Sequence, residues 1–407
     1  KRCSLRAVSA AKPKLQPSRQ SRAQRTDGLI RRAALELLAE EGYSALAFTR
    51  ISERAGVSRR PVHDRYNNRT DIAMDLWRNI AQDHLADDLL KLFATFESED
   101  RSPERFVEAM QRYLTPTEEL LGAIEILVIT QFDLRLRTMI AESAAAVFEP
   151  MIEHDGSDAA IRKATKRAYV ASFALGLLLV ARLPSSEPLD ISPDARRLYD
   201  SLMLDAEMVA LPELAEPMFD DVTSFESGDA MLDALLQAVI DEVSEVGFDG
   251  ATTMRIARRA SASEGYLFSK YDSKLDLFVD AVKRKSDIRL KLNNEKSAAI
   301  AQDHGQPVAD ALMIIESMHP SSPRRRAIAL ERMRIAMHNA DMRRAHAESL
   351  ENFVASVREQ DPDWAARMTL SRARFGYAVG VGVAAVPLLM PSAWQLPFDI
   401  ATRAFAD

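Results

Sequence analysis

Cysteine is almost absent from this 407-residue chain, and Cys3, the one residue of its kind, has no partner for an intrachain disulfide or a thiolate zinc site. A reducing compartment, the cytoplasm, is expected. The seven histidines never form a His-x-x-x-His pair or stand beside the cysteine, so neither a metal nor another cofactor is expected. Gly-x-Ser-x-Gly, the phosphate-loop glycine–lysine motif and His-Glu-x-x-His are all missing. Carboxylate neighbours such as Asp87-Asp88 and Glu118-Glu119 read as solvated helix faces, and no enzyme is expected. No leading segment has the charged start and apolar core of a signal peptide. Residues 375–398 carry no charge, but Pro387, Pro391 and Pro397 interrupt them, and the matching run in the first half is uncharged for only about 14 residues. No membrane contact is expected.

Positive charge is missing from one long stretch. Between Arg197 and Arg255 there is no Lys or Arg. The overall −7 is the residue of unlike blocks: +9 over residues 1–72, −7 over 73–197, −14 over 198–254 and +5 over 255–407. A basic head on an acidic body points to a local contact with a polyanion.

What the chain does hold is a copy of itself. A shift of 205 aligns residues 42–71 with 247–276 through eight identities, among them Gly42/Gly247, Arg54/Arg259, Ser58/Ser263, Tyr66/Tyr271 and Asp71/Asp276. Ala141-Glu142-Ser143 matches Ala347-Glu348-Ser349 at 206, and Ser172-x-x-x-Gly176 matches Gly376-x-x-x-Gly380 at 204. A nearly constant offset across both halves means that a whole domain pair was duplicated. Strand signals are scarce. Apolar residues recur at helical spacing, as in Ile30, Ala33, Ala34, Leu37, Leu38 and in Leu235, Leu236, Val239, Ile240, Val243, and each run breaks at a glycine, Gly42 or Gly247.

In the first copy the spacing predicts a short helix over 49–55, a turn at Gly56, and a second helix capped by Ser58 and running to about Tyr66. Ile51, Ala55, Val57 and Val62 would pack these helices together. Arg59, Arg60, His63 and Asp64 would face outward, where base edges lie in a helix-turn-helix complex. The second copy places Ile256, Ala260, Ala262 and Leu267 inside, with Glu264, Gly265, Tyr266, Phe268 and Ser269 outside or at the rim and Ser263 as cap.

These segments resemble the TetR/AcrR family of transcriptional regulators. The likeness rests on Gly42-Tyr43, Phe48-Thr49-Arg50-Ile51-Ser52, Arg54-Ala55-Gly56-Val57-Ser58 and Tyr66-Asn67-Asn68-Arg69-Thr70-Asp71-Ile72. It is repeated in Gly247-Phe248, Thr252-Thr253-Met254-Arg255-Ile256-Ala257, Ala260-Ser261-Ala262-Ser263 and Tyr271-Asp272-Ser273-Lys274-Leu275-Asp276-Leu277. The resemblance implies an all-α fold: two tandem copies of a three-helix helix-turn-helix domain followed by a helical-bundle regulatory domain, arranged as an intrachain pseudo-dimer. It makes Arg59, Arg60, Pro61 and Tyr266 base readers and His63, Phe268, Arg69 and Lys274 backbone contacts. Arg50, Ser58, Tyr66, Arg255, Ser263 and Tyr271 complete the expected DNA-facing set. In the second copy Phe268 cannot donate to a phosphate, Ser261 replaces the turn glycine, and the leading helix carries Asp233, Asp241, Glu242 and Glu245 without compensation. Both units are expected to touch DNA, with the first dominant.

The expected organisation is a basic, disordered arm over 1–20, DNA-binding domains over 21–75 and 229–281, regulatory domains over 76–211 and 282–407, and an acidic linker over 212–228. The partners expected are an asymmetric double-stranded operator and a small-molecule effector, the chain acting as a repressor and as a monomeric pseudo-dimer with further dimerisation open. Trp77, Phe106, Met110, Tyr113, Phe132 and Met139, with Met313, Met333, Met337, Phe353 and Trp364, are candidate pocket residues. Ser172, Gly176, Gly376 and Gly380 are expected to let two late helices pack closely. The run from Gly380 to Ala385 also fits a loosened dinucleotide fingerprint, but no strand precedes it, so packing is the preferred reading. Two alternatives remain: a regulator in which only the first unit reads DNA, and a ligand-binding or scaffolding protein that has kept the fold but lost its operator.

Overall fold

A computed structural model describes residues 19–204, 211–212, 224–360 and 367–398. Cys3, Trp364, residues 1–18 of the basic arm and residues 213–223 of the acidic linker lie outside the described residues. Every regular element among the described residues is helical. The apolar stripe from Ile30 to Leu38 is buried on α1 (Arg19–Glu41). Gly42 then takes φ 86°, a left-handed corner open to glycine at no steric cost. There follow α2 (Phe48–Ala55), α3 (Arg59–His63) and α4 (Arg69–Leu76). A π turn over Trp77–Ala81 joins α4 to α5 (Gln82–Glu97), and α6 (Pro103–Arg112), α7 (Glu118–Ile129), α8 (Leu134–Phe148), α9 (Asp158–Val180) and α10 (Ser192–Met203) complete the first half.

The second half repeats the order. In α11 (Ala230–Gly250) the helix is broken at Gly247, φ 71°, and the stripe from Leu235 to Val243 is buried. Then come α12 (Thr253–Arg259), α13 (Glu264–Lys270), α14 (Lys274–His304), α15 (Gln306–Met318), α16 (Pro323–His338), α17 (Ala340–Gln360) and α18 (Leu370–Ala385). Caps are duplicated with the helices: Asn68 accepts the Asp71 amide at 3.0 Å and Ser273 the Asp276 amide at 3.1 Å. The long α14 runs unbroken from the second helix-turn-helix into its bundle.

The halves are joined mainly by α9 against α18, with α7 against α16 beside them. Phe173 and Phe375 stack across this contact at 4.5 Å between centroids. The close approach falls at other glycines than expected. A Cβ on Gly176 would overlap the Ala378 carbonyl, and one on Gly382 would overlap the carbonyl of the buried Ser172. Gly376 and Gly380 have open space around the same position. Of the four small residues expected to bring the two helices close, Ser172 and Gly176 lie at the contact, against Gly382 and Ala378, while Gly376 and Gly380 do not, because the helix crossing sets which backbones meet. The close backbone contact at Gly382 also accounts for its glycine without any dinucleotide.

Candidate nucleic-acid interface

Two helices joined by a tight corner make each reading head. In the first, Ile51 and Val62 are buried between α2 and α3, and Gly56 turns the chain at φ 63°. In the second, Ile256 and Leu267 are buried between α12 and α13, and Ser261 holds the same corner at φ 54°. Ser261 is the only non-glycine with positive φ among the described residues. Ser263 caps α13 by accepting the Tyr266 amide at 3.0 Å. Ser58 stands at the same place before α3, but its hydroxyl accepts no amide, which corrects the expected cap. The recognition helix α3 also ends at His63 and not at Tyr66, with Arg65 donating to the Pro61 carbonyl at 2.9 Å in the closing turn.

The outward residues of α3 are available. Arg59, Arg60 and His63 are exposed, Pro61 is half-buried, and Arg60 is held only by a loose contact to Asp64 at 3.8 Å with its side chain 89% exposed. His63 packs edge-on against Phe48 at 4.7 Å. Arg69 is exposed at the start of α4 with its guanidinium 5.0 Å from the Tyr43 ring. The counterpart surface is more occupied. Tyr266 Oη and Lys270 Nζ both bond Asp229, at 3.0 and 3.2 Å, and that carboxylate, which also caps α11, is held below its usual range by the Leu232 amide and then by the Lys270 and Tyr266 contacts. Phe268 is exposed. Lys274 turns inward: its ammonium donates to the carbonyls of Phe248 and Ala251, both at 2.6 Å, and burial lowers its pKa.

Several other expected contacts are held by neighbours. Tyr66 is buried and donates to Asp75 at 2.6 Å, and Tyr271 donates likewise to Asp280 at 2.6 Å. Arg50 pairs with Glu41, and Arg255 with Glu242. Arg259 bonds Glu242 at 3.0 Å and Glu245 at 2.5 Å, and Arg324 reaches Glu245 at 3.6 Å. The acids Glu242 and Glu245 of α11 are therefore compensated, contrary to expectation, because α12 folds its cations back onto them.

Between the two heads lies a buried ionic cluster. The Tyr43 amide, one residue past Gly42, donates to Glu125 Oε1 at 2.8 Å, and the Phe248 amide, one residue past Gly247, donates to Glu331 Oε1 at 2.6 Å. Arg334 bridges them, with Nη1 3.0 Å from Glu125, Nε 2.7 Å from Glu331 and Nη2 3.1 Å from Asp249. His338 Nε2 lies 3.1 Å from the other Glu125 oxygen. Burial opposes the Glu125 charge, but Arg334, His338 and the Tyr43 amide outweigh it and bring its pKa down to about 2. Each head leans on the opposite half: Gly42 packs under His338, and Gly247 under Phe132. Sequence reasoning missed this cluster. The available signal was Glu125 itself, the one charge within the apolar run 120–129.

Of the candidate ligand residues, Trp77, Phe106, Met110, Tyr113, Met333 and Met337 are core side chains with at most 1% exposure. Phe132 lines a cleft of about 380 Å³ between the heads, together with Arg69 and Arg334. A cavity of about 990 Å³ lies in the second half and includes Met313 in its wall. No helix among the described residues is long and apolar enough to cross a membrane.

Paired helix-turn-helix heads on an all-helical scaffold are the architecture of a DNA-binding regulator. The sequence model described as bacterial regulatory proteins, tetR family, matches residues 30–75 and again residues 235–281. The chain carries the DNA-binding domain of this family of transcriptional regulators twice, as a tandem double repeat. No curated protein matches it significantly.

Proposed function

We propose that the chain is a cytoplasmic repressor that carries a complete pseudo-dimer on one polypeptide, reads an asymmetric operator with two unlike recognition helices, and is released by a small-molecule effector. The observation that carries this reading is the chemistry of the two outward surfaces. Arg59, Arg60, Pro61 and His63 on α3 stand where α13 has Glu264, Gly265, Tyr266 and Phe268. Arginines suit guanine edges and phosphates, whereas the second helix offers an aromatic surface. A symmetric palindrome would waste one of the two. The domain limits at residues 75/76 and 281/282 fall at α4 and within α14, so each head is continuous with its bundle through a helical segment.

Gel shift and footprinting on DNA upstream of the gene test the reading. One chain protecting two unlike half-sites about one helical turn apart supports it. A perfect inverted repeat overturns the asymmetry, and no sequence-selective shift favours a protein that has lost its operator.

A second reading has its own support. Tyr266, Lys270 and Lys274 are all engaged within the second head, which favours a regulator whose first head alone reads sequence. A footprint confined to one half-site distinguishes it.

A further inference from the structure

The second half holds a cavity whose wall includes counterparts of buried core residues of the first. Its cavity of about 990 Å³ lies among α11, α14, α15, α16 and α18 and falls in the size range of small-molecule sites. At a shift of 205, Trp77 in the first half corresponds to Val282 in the second. Trp77 is fully buried and donates to Ser143 at 3.1 Å, whereas Val282 lines the cavity. The shift of 206 that pairs Glu125 with Glu331 pairs Ile126, also fully buried, with Arg332, again a cavity residue. Two apolar core positions of one half have thus become a smaller residue and a cation in the other.

The walls are of two kinds. Ile240, Ile314, Ile328 and Val381 supply apolar surface. Lys285, Arg289, Arg324, Arg325 and Arg332 supply five cations against two acids, Asp233 and Asp241. Arg332 is pre-positioned: Nη1 lies 3.0 Å from Ser286 Oγ, Nη2 bonds the Tyr377 hydroxyl, and its buried Nε has no hydrogen-bond partner. A buried guanidinium N–H without an acceptor is costly, and an anionic head group would supply one.

Resting on the effector reading above, we propose that the second half alone carries the sensor, and that its ligand is an amphipathic anion, a carboxylate or phosphate head on an apolar tail. The tail fills the space that Trp77 occupies in the first half, and the head meets Arg332 and its cationic neighbours. The connection to the heads is direct. Ile240 and Asp241 belong to α11, the first helix of the second head, and Arg332 shares α16 with Glu331, Arg334 and His338 of the central cluster. A ligand bridging α11 and α16 sets the angle between the second head and its bundle.

Titration calorimetry of the full chain without DNA tests the proposal, using decanoate and decyl phosphate below their micelle concentrations and uncharged decanol below its solubility limit. The expected result is one saturable site per chain for at least one of the two anions, with decanol weaker by about tenfold or more, the size of a lost charged hydrogen bond. Which anion binds more tightly identifies the head group. Val282→Trp and Arg332→Met should each weaken binding by about tenfold or more in chains that circular dichroism shows to be folded. If Val282→Trp does not fold, Arg332→Met, which adds no bulk, decides. Failure of both anions to bind, equal binding of decanol, two sites per chain, or a folded Arg332→Met with unchanged affinity overturns the proposal. Operator binding is read separately by gel shift, so a negative titration removes this ligand class and leaves the DNA-binding reading standing.

Discussion

Gly56 and Ser261 hold the same left-handed corner with different chemistry, at φ 63° and 54°. A side chain in that region costs on the order of 1 kcal/mol, which glycine avoids. Ser261→Gly is therefore expected to raise stability by roughly 0.5–1 kcal/mol and Gly56→Ser to lower it by about 1 kcal/mol in urea unfolding. Equal midpoints for both variants and the parent would remove the strain argument. The buried Glu125 makes a second prediction at this scale. Its folded pKa of about 2 lies below the ordinary 4.5, so its contribution to stability is complete above pH 4.5 and is lost as the pH falls toward 2. Glu125→Gln leaves Arg334 undercompensated and should cost on the order of 3 kcal/mol at neutral pH. The gap between the two proteins should narrow steadily below pH 4.5 in urea titrations, and a gap independent of pH would show that the ionised cluster is not its source.

Among the elements, the α9–α18 contact separates glycines that matter from glycines that do not. Gly382→Val drives a side chain into the Ser172 carbonyl and should lower the melting temperature sharply, with a loss above about 3 kcal/mol. Gly376→Ala meets open space within a helix and should be neutral or stabilising by up to about 1 kcal/mol. The opposite order in thermal melts would return Gly376 to the close contact expected of it. That these two helices pair was legible in their small residues and lack of charge. Which glycine meets which backbone was not, because it depends on the crossing geometry of helices about 200 residues apart in the chain. The same holds for Ser58, whose type and position are those of a cap but whose hydroxyl accepts no amide.

For the whole molecule, the contrast between Arg69 and Lys274 tests how evenly the heads share DNA. They occupy equivalent positions, but Arg69 is exposed while Lys274 closes the loop carbonyls of Phe248 and Ala251. Arg69→Ala should reduce the slope of log affinity against log salt by about one, as expected for one lost phosphate contact. Lys274→Ala should leave the slope unchanged and instead lower the stability of the second head. A reduced slope for Lys274→Ala would mean that its ammonium leaves the carbonyls for DNA.

The sequence by itself determined the duplication, the helical class, the buried stripes, the glycine breaks and the residue types of the two recognition surfaces, because each is written in short-range spacing or a fixed offset. Only the tertiary structure decided that Lys274, Tyr66 and Tyr271 turn inward, that Arg255 and Arg259 neutralise Glu242 and Glu245, that Arg334 ties both heads together, and that Val282 lines a cavity while its counterpart Trp77 is buried in the core. These outcomes depend on which side chains meet after distant helices pack, and residue type and periodicity carry no record of that meeting.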